Sequence, residues 1–212
     1  MLEGLKNGLI NFFFPENCIV CSKNGDTICE SCFLKIPRQV FCNGNTLSVY
    51  SFKNDIVNRL LWSLKYHNTG SCAKYFGRVM REELSNFLSR NNLQQKNIFL
   101  IPIPLNHGDK RLHNHAKLLA NSMTGDFLIL DILVKNSKQK QAHTHSREER
   151  FENIKNVFSI SLPKNFQHNP NNLYTIIDDV TTTGATISEA RKTLSNVLKI
   201  NEKEILALTV AH

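Results

Sequence analysis

Residues 174–186 read Tyr-Thr-Ile-Ile-Asp-Asp-Val-Thr-Thr-Thr-Gly-Ala-Thr, and this stretch decides the fold that the sequence predicts. Its first four residues form an apolar run with β-branched content, which is typical of a buried strand. Asp178 and Asp179 follow at the carboxyl end of that strand, where ligands bind in open α/β sheets. Apolar residues at helical spacing predict a helix behind the loop. They are Ile187, Ala190, Leu194 and Val197.

The loop after the acidic pair has the composition of an anion-binding site. Four threonines and one glycine fall within six residues, and Gly184 permits backbone angles that a side chain would forbid. Backbone N–H groups of the loop and of the helix N-terminus would point at a phosphate, and the threonine hydroxyls add donors. The predicted cradle consists of Val180, Thr181, Thr182, Thr183, Gly184, Ala185 and Thr186.

Two carboxylates beside a phosphate site need a reason, because they would repel the phosphate. A ribose supplies one, since its two vicinal hydroxyls are donors and paired carboxylates accept from both. Asp178, Asp179 and the loop therefore fit a 5-phosphoribosyl group. In the plainer interpretation, Asp caps a helix and Thr forms a turn; four hydroxyls and a glycine after an Asp pair favour the ligand site. The string also resembles the motif of type I phosphoribosyltransferases that binds 5-phosphoribosyl 1-pyrophosphate (PRPP).

The length and charge of the chain restrict its class and its partners. The 212 residues suffice for one α/β domain plus a small module. The formal charge of +8 and the pI of about 9.2 favour an anionic partner, nucleic acid or polyphosphate, with a solvated basic surface as the alternative.

The N-terminal segment bears on the cellular location. No stretch approaches the roughly 20 apolar residues of a membrane span. Residues 1–15 lack a basic n-region and a small-residue cleavage site, which excludes a signal peptide and predicts a cytoplasmic protein. We expect a short amphipathic helix packed on the body, and Phe12-Phe13-Phe14 keeps a membrane anchor open as the alternative.

Four of the six cysteines form two CxxC pairs, seven residues apart. Such knuckles can wrap a tetrahedral thiolate site, and Asn24-Gly25 between them is a hairpin turn signal. Two disulfides are the alternative, which a reducing cytosol disfavours. Four thiolates leave no open position, so we expect structural rather than catalytic Zn²⁺, with Cys42 as a substitute ligand. The predicted ligands are Cys18, Cys21, Cys29 and Cys32.

Strands alternating with helices along the body predict a parallel sheet with helices on both faces. Strands are expected over residues 46–52, 98–105, 127–134 and 204–211, besides the one before Asp178. Asn54-Asp55 is expected to cap the first helix of the body, and an apolar stripe predicts a second helix over residues 75–88.

Together these pieces resemble the ComF family, which is associated with natural competence and DNA uptake in bacteria. The resemblance covers nearly the whole chain and combines the four-cysteine module with the loop of residues 178–186. It further rests on Leu64-Lys65-Tyr66, on Ile101-Pro102-Ile103-Pro104-Leu105, and on Gln141, Arg150, Asn153 and Phe158. The resemblance implies a type I phosphoribosyltransferase-like domain over residues 46–212, preceded over residues 1–45 by a helix and a zinc module.

The chain departs from the family after its Pro-x-Pro strand. The family usually has Arg-Gly-Phe-Asn-Gln there, whereas this chain has Arg111-Leu112-His113-Asn114-His115. In phosphoribosyltransferases this part helps to bind pyrophosphate, so the losses affect turnover more than binding. The expected pyrophosphate loop comprises Pro104, Leu105, Asn106 and Arg111, with Mg²⁺ accompanying PRPP. No catalytic residue is predicted.

A basic segment over residues 135–150 has two interpretations. Its cations could neutralise phosphates of single-stranded DNA, or the segment could be a mobile loop that closes over PRPP. The candidate DNA-binding residues are Lys138, Lys140, Arg147 and Arg150. The pairs His113-x-His115 and His143-x-His145 could suggest a metal site, but we expect them to be polar groups near anions.

The resemblance implies a cytoplasmic competence protein that binds PRPP and single-stranded DNA. A competence helicase and other DNA-uptake proteins are its implied partners. The alternative function is an active phosphoribosyltransferase of nucleotide salvage or synthesis.

Overall fold

The computed structural model describes residues 17–66, 70–105, 113–123, 125–136 and 157–212. Its helices are α1 (Glu30–Phe33), α2 (Asp55–Tyr66), α3 (Gly70–Arg90), α4 (His115–Ser122) and α5 (Ala185–Leu198). Its strands are β1 (Phe41–Asn43), β2 (Thr46–Tyr50), β3 (Asn97–Pro102), β4 (Leu128–Ile129), β5 (Leu133–Lys135), β6 (Phe158–Ile160), β7 (Asn172–Val180) and β8 (Ile205–Ala211). A 3-10 turn, Glu202–Glu204, precedes β8.

Six strands form a central sheet in the order β1-β2-β8-β7-β3-β4. The edge strand β1 is antiparallel to β2, and every other pairing in this sheet is parallel. The central strand β7 is buried from Leu173 to Asp179, because parallel sheets are covered on both faces. The chain is thus a mixed α/β protein with a largely parallel central sheet, as the sequence predicts.

Side chains alternate along the central strands between two apolar layers. On β7, Leu173 and Ile177 pack in the layer formed with α2, α3 and α4. Tyr174 and Ile176 pack in the opposite layer, which includes α5 and the hairpin β5–β6. Helices therefore cover both faces of the sheet, and the carboxyl end of β7 opens between the two layers.

The segment 127–134 does not form the single strand that its apolar run predicts. It contains the short β4, which pairs with β3, and then β5, which belongs to the separate hairpin with β6. Phe127 packs in the α2–α4 layer, whereas Ile132 and Leu133 pack in the α5 layer. The chain thus passes around the edge of the sheet, and each apolar half covers a different face.

The helix starts follow local capping chemistry. Asn54 accepts hydrogen bonds from the backbone N–H groups of Ile56 and Val57, so it caps α2 as predicted. Asn114 caps α4 by accepting from Lys117 N. The helix predicted behind the loop is α5, and of the apolar residues that predict it Val197 is 44% exposed, while Leu198 next to it is buried.

The N-terminal strand β1 pairs with β2 across the expected boundary at residue 45. That boundary remains a prediction. None of the helices in the described part of the chain is long and apolar enough to cross a membrane.

Candidate functional site

Asp178 and Asp179 lie near the carboxyl end of the central strand β7. Their carboxyl groups lie close together, because an oxygen of each lies within 4.8 Å of the other and of a ring nitrogen of His115. The exposed fractions of Asp178 and Asp179 are only 8% and 5%. Two buried carboxyl groups at a strand end need compensating partners, and these partners differ for the two residues.

Asp179 is held by two basic side chains from different helices. Lys65, near the end of α2, places its Nζ 2.5 Å from Oδ2. His115, the first residue of α4, places its Nε2 3.4 Å from Oδ1. No well-directed hydrogen bond reaches Oδ2 from the described residues, so the contact with Lys65 is chiefly electrostatic. Asp179 therefore connects two helices to the end of the sheet.

Asp178 has a different environment. Its Oδ1 accepts a hydrogen bond of 2.9 Å from the backbone N–H of Asp179. Burial is the main cause that raises its pKa well above the usual range, and the neighbouring charge of Asp179 raises the pKa further. Burial also acts to raise the pKa of Asp179, but the hydrogen bond and charge of His115, together with Lys65, outweigh it and lower that pKa. The two acids thus titrate far apart.

One cluster at this site has the donor set of a cation site. Ligand atoms of His115, Asp178 and Asp179 lie within 4.8 Å of one another. The Lys65 ammonium occupies the space beside Oδ2 of Asp179, so a bound cation would compete with it for that oxygen.

The loop behind the acidic pair has the backbone geometry of an anion cradle. Gly184 lies in the left-handed region with φ of 75° and is the N-cap of α5 without a side-chain cap. In the described part of the chain, no backbone carbonyl accepts from the N–H groups of Thr182, Thr183 or Gly184. The Thr183 hydroxyl oxygen lies 3.4 Å from the backbone nitrogen of Ala185 and accepts a hydrogen bond from it. These donors at a helix start are available to an anion.

The start of the loop is tied to the sheet. Thr181 donates from its backbone N–H to the carbonyl of Ala211 at the end of β8. Thr181 and Thr186 are half-buried, and Thr182 is exposed, so the hydroxyls surround the helix start at different depths. The loop is consequently fixed at its first residue and open at its middle.

Of the expected pyrophosphate loop, Pro104 and Leu105 are described and half-buried, directly after β3. Ile103 donates its backbone N–H to Ile177 O and thereby extends the β3–β7 ladder toward the acidic pair. Asn114 donates through Nδ2 to Ile103 O at 3.0 Å. Asn114 therefore joins the Pro-x-Pro strand to α4. It is one of the two residues that this chain retains from the family pattern. Asn106 and Arg111 lie outside the described residues.

The four predicted ligand cysteines form one cluster. Their Sγ atoms all lie within 4.8 Å of one another, and Cys21 and Cys29 are 3.6 Å apart. A tetrahedral site with Zn–S bonds of about 2.3 Å needs S–S separations of about 3.8 Å, so the cluster fits a metal ion. All six cysteines of the chain are free thiols, including the expected substitute ligand Cys42 and the buried Cys72.

Tight turns bring the cysteine pairs together. Ser22 and Gly25 adopt positive φ, and a β-bridge from Asn17 to Asn24 closes the turn that contains the first pair. In the second pair, the backbone N–H groups of Cys32 and Phe33 both donate to Cys29 O at the start of α1. Each pair therefore lies in a hydrogen-bonded turn.

The thiols experience opposing influences on their acidity. Burial acts to raise the pKa of Cys18, but backbone hydrogen bonds from Cys29, Cys21 and Val20 outweigh it and lower the pKa to about 6. The side-chain hydrogen bond with Cys29 is the main cause that raises the pKa of Cys32 to about 12, with burial adding to it. Four such close sulfurs cannot all be thiolates without a cation between them.

The cysteine cluster is packed against the α/β body rather than separate from it. Phe33, next to Cys32, stacks on Tyr75 at 5.0 Å and meets Phe76 edge-on at 5.6 Å. Glu30 of α1 forms an ion pair with Arg78, which lies on α3 together with Tyr75 and Phe76. A ligand set that holds α1 in place therefore also positions an aromatic residue of the main core.

Several predicted residues lie outside the described part of the chain. They are the N-terminal helix of residues 1–15, the second histidine pair, and the candidate DNA-binding residues Lys138, Lys140, Arg147 and Arg150. Conversely, the sequence patterns predict no role for Lys65, and they indicate only a polar group near anions at His115. The retained Leu64-Lys65-Tyr66 string was the signal available for Lys65, but its contact with Asp179 depends on long-range packing.

The site and fold define a class: an α/β protein with paired carboxylates and an anion-type loop at a strand end, carrying a four-thiol cluster. A relative narrows it further. The chain is 34% identical over 236 residues to "Competence protein F" of Haemophilus influenzae (strain ATCC 51907 / DSM 11121 / KW20 / Rd), covering 94% of this chain and 99% of that protein. No family model matches the chain. On the strength of this relative, the chain belongs to the ComF family.

Proposed function

We propose that the end of β7 and the start of α5 bind a 5-phosphoribosyl ligand, with PRPP as its principal form. One observation carries this proposal: paired buried carboxylates adjoin a helix N-terminus whose loop N–H groups have no backbone acceptor among the described residues. Asp178 and Asp179 would accept from the ribose hydroxyls, and Thr181–Thr186 would donate to the 5′-phosphate. On this basis the α/β domain is of the type I phosphoribosyltransferase kind.

In this proposal, the polyphosphate end of PRPP lies beyond β3. Pro104, Leu105, Asn106 and Arg111 form the segment that would contact pyrophosphate. Mg²⁺ would arrive with the ligand, since this ion is usually held by substrate phosphates and water with few protein ligands. Lys65 and His115 hold Asp179 in place on the opposite side of the ribose site.

The four-cysteine cluster is proposed to hold Zn²⁺. Four soft sulfur ligands with tetrahedral spacing are typical of structural zinc, and a closed ligand set leaves no position for a substrate. The ion would hold α1 and the Asn24 turn together and thus keep Phe33 in the core. Its role would be stability, because a module of this size can hardly fold on apolar burial alone.

At the level of the cell, we propose a cytoplasmic role in competence, as the name of the relative suggests. The net charge of +8 supports binding of single-stranded DNA, with Lys138, Lys140, Arg147 and Arg150 as the candidate contacts. A competence helicase and other DNA-uptake proteins are the proposed partners.

Calorimetric titration with PRPP and Mg²⁺ tests the ligand site. Gly184→Ala places a side chain where φ is 75° and where the backbone would approach the phosphate. Gly44→Ala is the matched control, because Gly44 also has positive φ and open space around it but lies in the β1–β2 turn. Both variants should lose about 1 kcal/mol of stability. Only Gly184→Ala should weaken PRPP binding, and equal effects of the two variants on affinity would contradict the proposed cradle.

A second candidate function is phosphoribosyl transfer, and the opposite pKa shifts of Asp178 and Asp179 favour it. A pair of acids with separated pKa values can serve as proton donor and acceptor in one site. In such a reaction the bond from the anomeric carbon to pyrophosphate would break as a nucleophile attacks that carbon, and Mg²⁺ would stabilise the leaving group. Incubation with PRPP and a panel of nucleophiles, with pyrophosphate as the readout, tests this function.

A further inference from the structure

An exposed aromatic pair lies on the outer face of α2. Trp62 and Tyr66 are one helical turn apart, their ring centroids are 5.4 Å apart, and their planes are inclined by 46°. The exposed fractions are 56% for Trp62 and 59% for Tyr66. A single exposed aromatic residue is ordinary, but two in contact form a continuous apolar surface that indicates a binding partner.

This pair lies on the helix that also reaches the proposed ribose site. Lys65 lies three residues after Trp62, so these two side chains are neighbours on the surface of α2. The Lys65 ammonium reaches Asp179 at the end of β7. The helix that carries the aromatic pair therefore also supplies a contact to the acidic pair.

We propose that Trp62 and Tyr66 form a stacking platform for a nucleobase next to the phosphoribosyl cradle. The proposal rests on the proposed ligand site, and it assigns a nucleobase to the surface beside the sugar. Aromatic rings stack on any base, because every base has a π-face. The net charge of +8 favours such an anionic, base-carrying ligand over an apolar peptide.

The ring geometry restricts how a base can bind. Insertion between two rings needs about 7 Å between their planes, twice the contact distance of about 3.5 Å. The observed centroid separation of 5.4 Å is too short, so a base stacks on an outer ring face. The base could come from a free nucleotide or from single-stranded DNA, and the two sources share this chemistry.

Trp62 is the one tryptophan of the chain, so its fluorescence reports on the platform directly. Its fluorescence is measured while the full-length protein is titrated with a short oligothymidylate, with thymidine monophosphate, or with an abasic oligomer of the same length. Saturable quenching by either base-carrying ligand, and weaker quenching by the abasic oligomer, is the expected result. Quenching by the oligomer alone would identify strand binding, and quenching by both would identify base recognition as such.

Variants separate stacking from folding. Tyr66→Leu should weaken oligomer binding about tenfold by anisotropy, while Tyr66→Phe, which keeps the ring, should retain it. Val197→Ala removes an exposed apolar group from α5 and should change nothing. The platform would be overturned if the abasic oligomer quenched Trp62 as strongly as the base-carrying ligands did, or if Trp62 emission did not change when the oligomer bound. Equal losses of oligomer affinity in Tyr66→Leu and Val197→Ala would overturn it as well. Calorimetry with PRPP keeps the two proposals apart, because Tyr66→Leu should bind PRPP normally, whereas failure of the parent protein to bind PRPP counts against the cradle alone.

Discussion

Replacing Asp178 with Asn is expected to stabilise the ligand-free protein, whereas the same replacement at Asp179 is expected to destabilise it. The two residues are neighbours with the same side chain, and both are almost fully buried. They differ in their partners, because Lys65 and His115 both contact Asp179. The opposite signs therefore follow from the structure and not from the type of residue.

For Asp178, the raised pKa means that the folded protein binds a proton more tightly than the unfolded chain. Between the unfolded value of about 3.9 and the folded value, the free energy of unfolding falls as the pH rises. Asn has no such titration, and its side-chain oxygen can still accept from the Asp179 N–H. The variant should gain about 0.5–2 kcal/mol at neutral pH, which raises the midpoint of thermal unfolding by a few degrees.

For Asp179, the lowered pKa means that its carboxylate stabilises the fold above the unfolded value of about 3.9. This contribution is lost only as the pH falls through the folded pKa, so it is fully present at neutral pH. Asn removes the charge and leaves the Lys65 ammonium without its carboxylate. Since Lys65 is 27% exposed and water screens it in part, the loss should be about 1–3 kcal/mol rather than the larger value for a fully buried pair.

Urea unfolding of both single variants, the double variant and the parent, at several pH values from roughly 5 to 8, measures these changes. The advantage of Asp178→Asn should grow with pH until its folded pKa is passed. Contact between the sites should make the double variant depart from the sum of the single variants. Destabilisation by Asp178→Asn, or stabilisation by Asp179→Asn, would refute the assignment of the Lys65 and His115 contacts to Asp179. PRPP binding should weaken in both variants, since Asn offers one acceptor oxygen where Asp offers two.

Three further predictions concern the metal, the DNA and the chemistry. Native mass spectrometry of reduced, metal-replete protein should find one zinc per chain, and a chelator should lower the unfolding temperature; two disulfides without metal would contradict this. Combined alanine replacement of Lys138, Lys140 and Arg147 should reduce the salt dependence of single-stranded DNA binding by about 2 in the log–log slope, and an unchanged slope would place the contacts elsewhere. Pyrophosphate release with common bases should be slow or undetectable, because Arg111 and Asn114 are all that remains of the family pattern there, and fast turnover would indicate nucleotide salvage instead.

Local sequence patterns predicted most of the elements correctly. The strand before Asp178, the caps of α2 and the apolar stripe of α3 each depend on a few neighbouring residues, and such signals are visible in the chain itself. The four-cysteine cluster could likewise be predicted, because the turn at Asn24-Gly25 is encoded between the two pairs. The buried residue in the last turn of α5 could not be read from the pattern, since Val197 and Leu198 are both apolar and only packing selects Leu198.

The errors arose where tertiary position decides. The run over residues 127–134 is apolar except for Asp131, and this single polar residue, which lies where the chain turns around the sheet edge, was not treated as a break in the strand. The partners of Asp179 were also hidden, since Lys65 and His115 lie 114 and 64 residues before it in the numbering (179 − 65 and 179 − 115). Contacts of such separation depend on the order of strands in the sheet, which periodicity does not reveal.

The partners of Asp178 and Asp179 explain why this site has two acids of unequal character. Their carboxyl oxygens lie within 4.8 Å of each other, so two full charges there would repel. Lys65 and His115 pair with Asp179, Asp178 accepts from the backbone N–H of Asp179, and the N-terminus of α5, which follows the acids in the chain, attracts anions. A ligand carrying hydroxyl donors and a phosphate matches this division, since its hydroxyls satisfy the acids while its phosphate contacts the helix start. Where such a ligand also carries a base, the same binding event would place that base beside Trp62 on α2.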